Sequence, residues 1–198
     1  MKSFEFDYKL ISHFVKTKST VLDLGCGKGN LMEFLIKEKE VFVHGIEISE
    51  ACIYKCVEKG LSVFHGDIEN GLADFPDKSF DYVILYQSLQ QIKNLSFALR
   101  EALRVGRKVI VCFPNFAYIQ ARNALFFKGL APVTKNLPYR WYNSPNLHFF
   151  SIKDFQIFCK NNNFTVINEF FLTKKRLKKF VPNLFAERAI FLIKENDT

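Results

Sequence analysis

The sequence predicts an α/β fold in which a mostly parallel sheet carries helices on both faces. Apolar runs of strand length alternate with longer segments of helical period, the pattern of strands joined by helical crossovers. A glycine-rich turn, Gly25-Cys-Gly-Lys-Gly29, joins the first run to the first long helical segment. Two acids, Glu47 and Asp67, close the second and third runs, so three strand ends would meet at one edge of the sheet.

Tyr8–Val15 reads as a leading amphipathic helix, and Thr20–Leu24 as the first strand. Val41–Glu47, Leu61–His65, Phe80–Tyr86 and Lys108–Phe113 follow as strands two to five. Between them, residues 29–38, 49–59 and 94–105 have helical spacing and enough length for crossovers, with Ser49 placed to cap the second. Pro114 stops the fifth strand, and no regular pattern resumes until Ser151, which is placed to cap a helix over 151–159. Phe164–Leu172 and Ala186–Ile193 read as late strands without an intervening helix, which predicts antiparallel pairing. The expectation is a single domain over 1–198 with an inserted cap or docking segment at about 115–150.

Composition agrees with one globular domain: 48% of the 198 residues are hydrophobic, and 23 Phe supply bulk for a core. No apolar run approaches the roughly 18 residues that span a bilayer. Charges interrupt the opening Met1-Lys-Ser-Phe-Glu-Phe-Asp7, so a cytoplasmic location is expected. Five Cys with no CxxC pair argue against a disulfide framework or a zinc knuckle, and Cys52 and Cys56 lack the further ligands a metal needs. The net charge of +8 resides in the second half, where residues 100–198 hold 17 Lys/Arg against 6 Asp/Glu. The basic run Thr173–Phe180, with Lys174, Lys175 and Arg176, reads as a solvated loop. Without a stacking motif or RNA-binding module, a nucleic-acid partner is not expected.

Glycines directly after a strand permit a tight turn and let a ligand approach the backbone. A carboxylate at Glu47 can accept from both hydroxyls of a ribose, and one at Asp67 from an adenine amino group. Asp23 is placed to hold the glycine loop or to meet the amino-acid end of a ligand. A dinucleotide site would space its last two glycines three apart, whereas Gly27 and Gly29 are two apart. A Walker loop would follow its lysine with Ser or Thr, and Lys28 precedes Gly29.

With Val21–Gly29, Glu47 and Gly66-Asp67, the chain resembles the class I S-adenosylmethionine-dependent methyltransferases. That resemblance implies a Rossmann-like, seven-stranded, mostly parallel sheet with an antiparallel last strand. It also implies S-adenosylmethionine as cofactor, held by Asp23, Gly25, Cys26, Gly27, Gly29, Glu47, Ile48, Asp67, Ile68 and Tyr86. Gly71–Leu85, Leu103–Lys108, Phe113–Phe116 and above all Pro132–Phe149 are similar, more narrowly, to the methionine biosynthesis protein MetW family. This narrower likeness implies a role in making methionine beside a MetX-type homoserine O-acyltransferase. Two roles follow from it: a methyltransferase whose acceptor is not implied, or an accessory or sensing subunit of the acyltransferase that transfers no methyl group itself.

Three residues are candidates for acid, base or positioning work. Gln87 leaves the fourth strand where an acceptor would sit. His148 lies in the family-like segment and brings an imidazole, the side chain type most used for acid or base work, although a histidine there also suits a loop backbone contact. Tyr139, with Arg140, Trp141 and Tyr142, could form an aromatic lid or a protein-docking surface.

Overall fold

The computed structural model describes residues 3–196 except Gly71, Lys175 and Lys179. Among them, eight strands form one sheet: β1 Thr20–Leu24, β2 Phe42–Glu47, β3 Ser62–His65, β4 Phe80–Tyr86, β5 Gly106–Pro114, β6 Phe164–Thr173, β7 Arg176–Leu177 and β8 Arg188–Glu195. The helices are α1 Ser3–Phe14, α2 Asn30–Lys39, α3 Glu50–Glu58, α4 Leu95–Val105, α5 Ile119–Lys128, α6 Ile152–Asn161 and the short α7 Pro182–Phe185. The strand order is β3-β2-β1-β4-β5-β8-β6-β7. Every pairing from β3 to β5 is parallel, while β8 runs antiparallel to both β5 and β6.

The central strands β1, β4, β5 and β8 bury both faces, because neighbouring residues point to opposite sides of a pleated sheet and helices cover both. Leu22, Leu24, Val83, Leu85, Val109, Val111 and Phe113 pack toward α4 and α6 through Ala98, Leu99, Ile152 and Phe155. Val21, Val43, Tyr82, Ile84 and Ile110 pack toward α1 and α2 through Ile11, Phe14, Met32 and Leu35. This explains why strands one, four and five read as near-continuous apolar runs.

The sheet has eight strands where seven are expected. The extra one, β7, is a two-residue edge pairing with Leu172 and Thr173 of β6. It turns part of the basic run, expected to be an open loop, into a hairpin, with Lys178 N donating to Phe171 O at 2.7 Å; Lys175 lies outside the described residues. The late strands pair antiparallel across the β6 and β8 register, as their sequence predicts. Ser151 caps α6 through a reciprocal box, with Asp154 N donating to Ser151 Oγ and Ser151 N to the Asp154 carboxylate. Ser49 precedes α3, but its side chain does not cap it; the carboxylate of Glu47 takes the Ser49 N–H at 2.9 Å instead. The segment after Pro114 is partly regular, because Asn115 turns the chain and α5 follows.

Candidate functional site

The strand order reverses at β1, which has β2 on one side and β4 on the other. Ligands of open α/β sheets bind outside the carboxyl ends of the strands at such a point. A cavity of about 320 Å³ lies there, with Gly25 following β1, Glu47 ending β2, Asp67 beyond β3, and Tyr86, Gln87 and Ser88 at the end of β4. Ile48 and Ile68 line it as well, with Ile48 61% exposed and so open to cover a flat ring.

The glycine loop is shaped by what surrounds it. Gly27 has φ +55° and open space where a Cβ would stand, so a ligand can reach its backbone. Gly29 has φ +71°, and a Cβ there would come within 2.4 Å of Leu61 Cδ1, so its role is the close approach of α2 to the base of β3. Glu47 ties this loop down, accepting from Gly27 N at 2.8 Å through one oxygen and from Ile48 N and Ser49 N through the other. An ionised carboxylate has roughly four acceptor sites, so these bonds leave room for hydroxyl donors. Asp67 accepts from Glu69 N at 2.9 Å, which starts the short 3-10 turn Ile68–Asn70 along the cavity wall.

Asp23 is the most unusual group at this edge. It is 2% exposed, and among the described residues its Oδ1 has no hydrogen-bond partner. Burial, and secondarily the charge of Glu47, push its carboxyl up to about 7. A buried unpartnered carboxyl oxygen costs stability unless something meets it. The chemistry that suits it is a cationic donor, such as the ammonium of an amino acid, beside a second carboxylate, Glu47, that has acceptor sites left for hydroxyl donors. The donor set therefore fits an S-adenosyl amino acid.

Tyr86 carries a second constraint. Its hydroxyl donates to Asp7 Oδ2 at 3.1 Å, and Asp7 is held in turn by Arg188 through two bonds of 3.0 and 2.8 Å. Burial raises the Tyr86 hydroxyl far above its ordinary range and, against the opposing pull of Arg188, leaves Asp7 above its own. Arg188 also reaches Asn136 Oδ1 at 3.0 Å, so one buried network joins α1, β4, β8 and the segment after α5.

The structure gathers Gly25, Glu47, Ile48, Asp67, Ile68, Tyr86 and Gln87 around one cavity. Gly27 borders it through the Glu47 bond, and Asp23 is buried in the strand that leads to the loop. The thiol of Cys26 packs elsewhere: it is buried in the core on the α2 side, so this residue contributes backbone to the turn. Gln87 adopts φ +60° at the end of β4, with its Nε2 on the Cys112 sulfur at 3.5 Å. His148 lies outside this cavity. It lines a separate apolar one of about 480 Å³ with Phe149, Phe155 and Phe158, and its Nε2 stands 3.2 Å from Lys93 O, the loop backbone contact. Tyr139 is half exposed on the segment after α5. Ser88, Gln91 and Ile92 also line the cavity, though the sequence reading passed over them. Ser88 follows directly on Tyr86-Gln87, and its Oγ donates to Leu24 O at 2.9 Å; Gln91 and Ile92 arrive by a 3-10 turn that leaves no periodic signal.

This sheet, its antiparallel β8 and a cavity at the reversal of strand order define a protein of the class I methyltransferase fold. Solved structures agree on that fold. A SAM-dependent methyltransferase from Thermotoga maritima superposes with a TM-score of 0.67 at 18% identity, covering 98% of this chain and 91% of that one. A protein from Pyrococcus horikoshii superposes with a TM-score of 0.69 at 22% identity, covering 97% and 89%. The chain belongs to the family described as methionine biosynthesis protein MetW, whose model matches residues 5–193. A bifunctional methionine biosynthesis protein MetXA/MetW from Rhodopirellula baltica is 33% identical over 198 aligned residues, 93% of this chain and 32% of that protein. Phosphoethanolamine N-methyltransferase 2 from Caenorhabditis elegans is 27% identical over 149 residues, 66% of this chain and 34% of that one. The chain thus spans about a third of the length of these two curated relatives.

Proposed function

We propose that this protein binds S-adenosylmethionine at the β1–β4 edge and serves methionine biosynthesis as a methyltransferase-fold enzyme beside a MetX-type homoserine O-acyltransferase. The observation that carries the cofactor assignment is the buried, unpartnered Oδ1 of Asp23 two residues before the glycine loop. Asp23 meets the ammonium end of the cofactor, Gly25 and Gly27 let it approach the loop backbone, Gly29 seats α2 behind the loop, and Glu47 takes the ribose hydroxyls. Ile48 and Ile68 cover the adenine, Asp67 accepts from its amino group, and Cys26 and Tyr86 shape the turn and the wall.

When bound, the cofactor supplies an electrophilic methyl group. The chain's own part in such a transfer is positioning and exclusion of water, which need no catalytic base. Gln87, at the cavity wall, is the polar residue best placed to orient an acceptor; His148 and Tyr139 stand farther out. The pairing with a MetX-type enzyme is supported by the bifunctional relative, whose name joins the two activities. A purely accessory role without methyl transfer is not favoured by the family and fold matches. Five free cysteines and the lack, among the described residues, of any helix long and apolar enough to cross a membrane support a cytoplasmic setting.

Calorimetry with S-adenosylmethionine and S-adenosylhomocysteine tests the assignment. The unaltered protein should bind both, and Glu47→Ala should weaken binding by about a hundredfold, as expected for losing charge-assisted hydrogen bonds and the loop anchor. No binding by the unaltered protein would overturn the reading.

A further inference from the structure

The far end of α5 presents apolar side chains that the fold does not use. Phe126 and Phe127 are 83% and 75% exposed, and their rings pack edge-on against each other with centroids 4.9 Å apart. Leu125 and Leu130 beside them are also exposed. The helix ends sharply in Gly129 at φ +61°, with Gly129 N donating to Leu125 O and Leu130 N to Ala124 O. Its base is firmly held: Asn115, 2% exposed, donates to Ala186 O at 2.8 Å and to Asn183 O at 3.1 Å, and accepts from Ala117 N. The result is a fixed stem with an aromatic tip, the form in which hot-spot side chains enter a partner's pocket.

Charge selects the partner. Between Glu101 and Asp154 the sequence contains no acidic residue, while Arg122, Lys128, Lys135 and Arg140 lie around and beyond α5. Among the described residues none of these four enters a salt bridge. A second copy meeting this surface by two-fold symmetry would set the same cations against one another, while Glu187, the acid that touches this segment at Asn136, is buried. A flat bilayer fits poorly for a geometric reason. Leu125, Phe126 and Phe127 are consecutive, and at about 100° per helical residue they spread around more than half of the helix, so a plane cannot cover them together. A concave apolar pocket with an acidic rim can.

We infer that the tip of α5 is the surface on which the MetX-type acyltransferase docks, with Phe126 and Phe127 inserted in an acid-rimmed pocket of that enzyme. The inference rests on the partner reading above and locates it. The bifunctional relative points the same way, since the third of that protein that aligns with this chain is covalently joined to the rest of a protein named MetXA/MetW.

The test uses the full chain, the purified homoserine O-acyltransferase of the same organism, and the double variant Phe126→Ser/Phe127→Ser. Binding is read by biolayer interferometry and size-exclusion chromatography. The variant should bind the acyltransferase about thirtyfold or more weakly, with S-adenosylmethionine binding unchanged, since both phenylalanines are exposed and lie outside the cofactor cavity. Equal binding by variant and unaltered protein would overturn the surface while leaving the partnership intact. No complex with the unaltered protein would overturn the partnership and this surface with it. A homodimer dissolved by the variant would replace the acyltransferase with a second copy, and sedimentation with phosphatidylglycerol vesicles that the variant abolishes would replace it with a membrane.

Discussion

Asp23 couples the cofactor edge to pH. In an unfolded chain its carboxyl titrates near 3.8, whereas in the fold burial holds it at about 7. The folded protein therefore binds this proton more tightly. The stabilisation is fully present below about pH 4 and is lost as pH rises through about 7. Denaturant unfolding between pH 4 and 8 should show a downward slope that is shallower in Asp23→Asn, where Asp7, also raised by burial, remains. The same ionisation favours a cationic ligand, so affinity for S-adenosylmethionine should rise from pH 6 to 8 by several-fold and stay flat in Asp23→Asn, as calorimetry across that range would read. The place of Glu47 and Asp67 on the cavity wall is legible because an acid at a strand end has one natural place to point. The isolation of Asp23 is not, since whether a buried oxygen has a partner depends on groups brought from elsewhere in the chain. His148 shows the converse: its residue type suggests chemistry, and its ring lies against the Lys93 carbonyl outside the cavity.

Elements were easiest to read where burial enforces a period. Strands one to five and helices α2 to α4 follow from apolar runs and helical stripes, and α6 from its cap. That cap gives a direct prediction: Ser151→Ala removes the hydroxyl half of the Ser151–Asp154 box, leaves the backbone N–H of position 151 on the Asp154 carboxylate, and should cost about 1 kcal/mol in denaturant unfolding. The helix α5 was not legible, because its apolar residues fall on consecutive positions at an exposed tip, so no buried stripe marks it. β7 was hidden for another reason. Two residues at a sheet edge carry no alternation, and lysines are the composition of an edge as much as of a loop.

Across the whole molecule, Asp7 and Arg188 join residues 181 apart in sequence. Both side chains are nearly inaccessible, at 2% and 3%. Arg188→Met should cost about 3 to 5 kcal/mol, because it strands the Asp7 carboxylate in the interior and removes the ties to Asn136 and Lys174 O. Thermal and denaturant unfolding would measure it, and a cost below about 1 kcal/mol would show that the pair is not structural. No sequence pattern announces this pair, since an arginine opening a late strand reads as a surface residue until the topology places the strand inside the sheet.

That placement of β8 has a consequence for how the protein comes into being. β8 is the last of the eight strands along the chain, yet it lies between β5 and β6. Until residues 188–195 leave the ribosome, the flank of β5, with Val109, Val111 and Phe113 on it, is an open slot of unpaired backbone. The sheet is thus finished by wedging a strand into a gap instead of adding one at the margin. A chain halted before Arg188 would present two unpaired borders, the flanks of β5 and β6, with nothing between them.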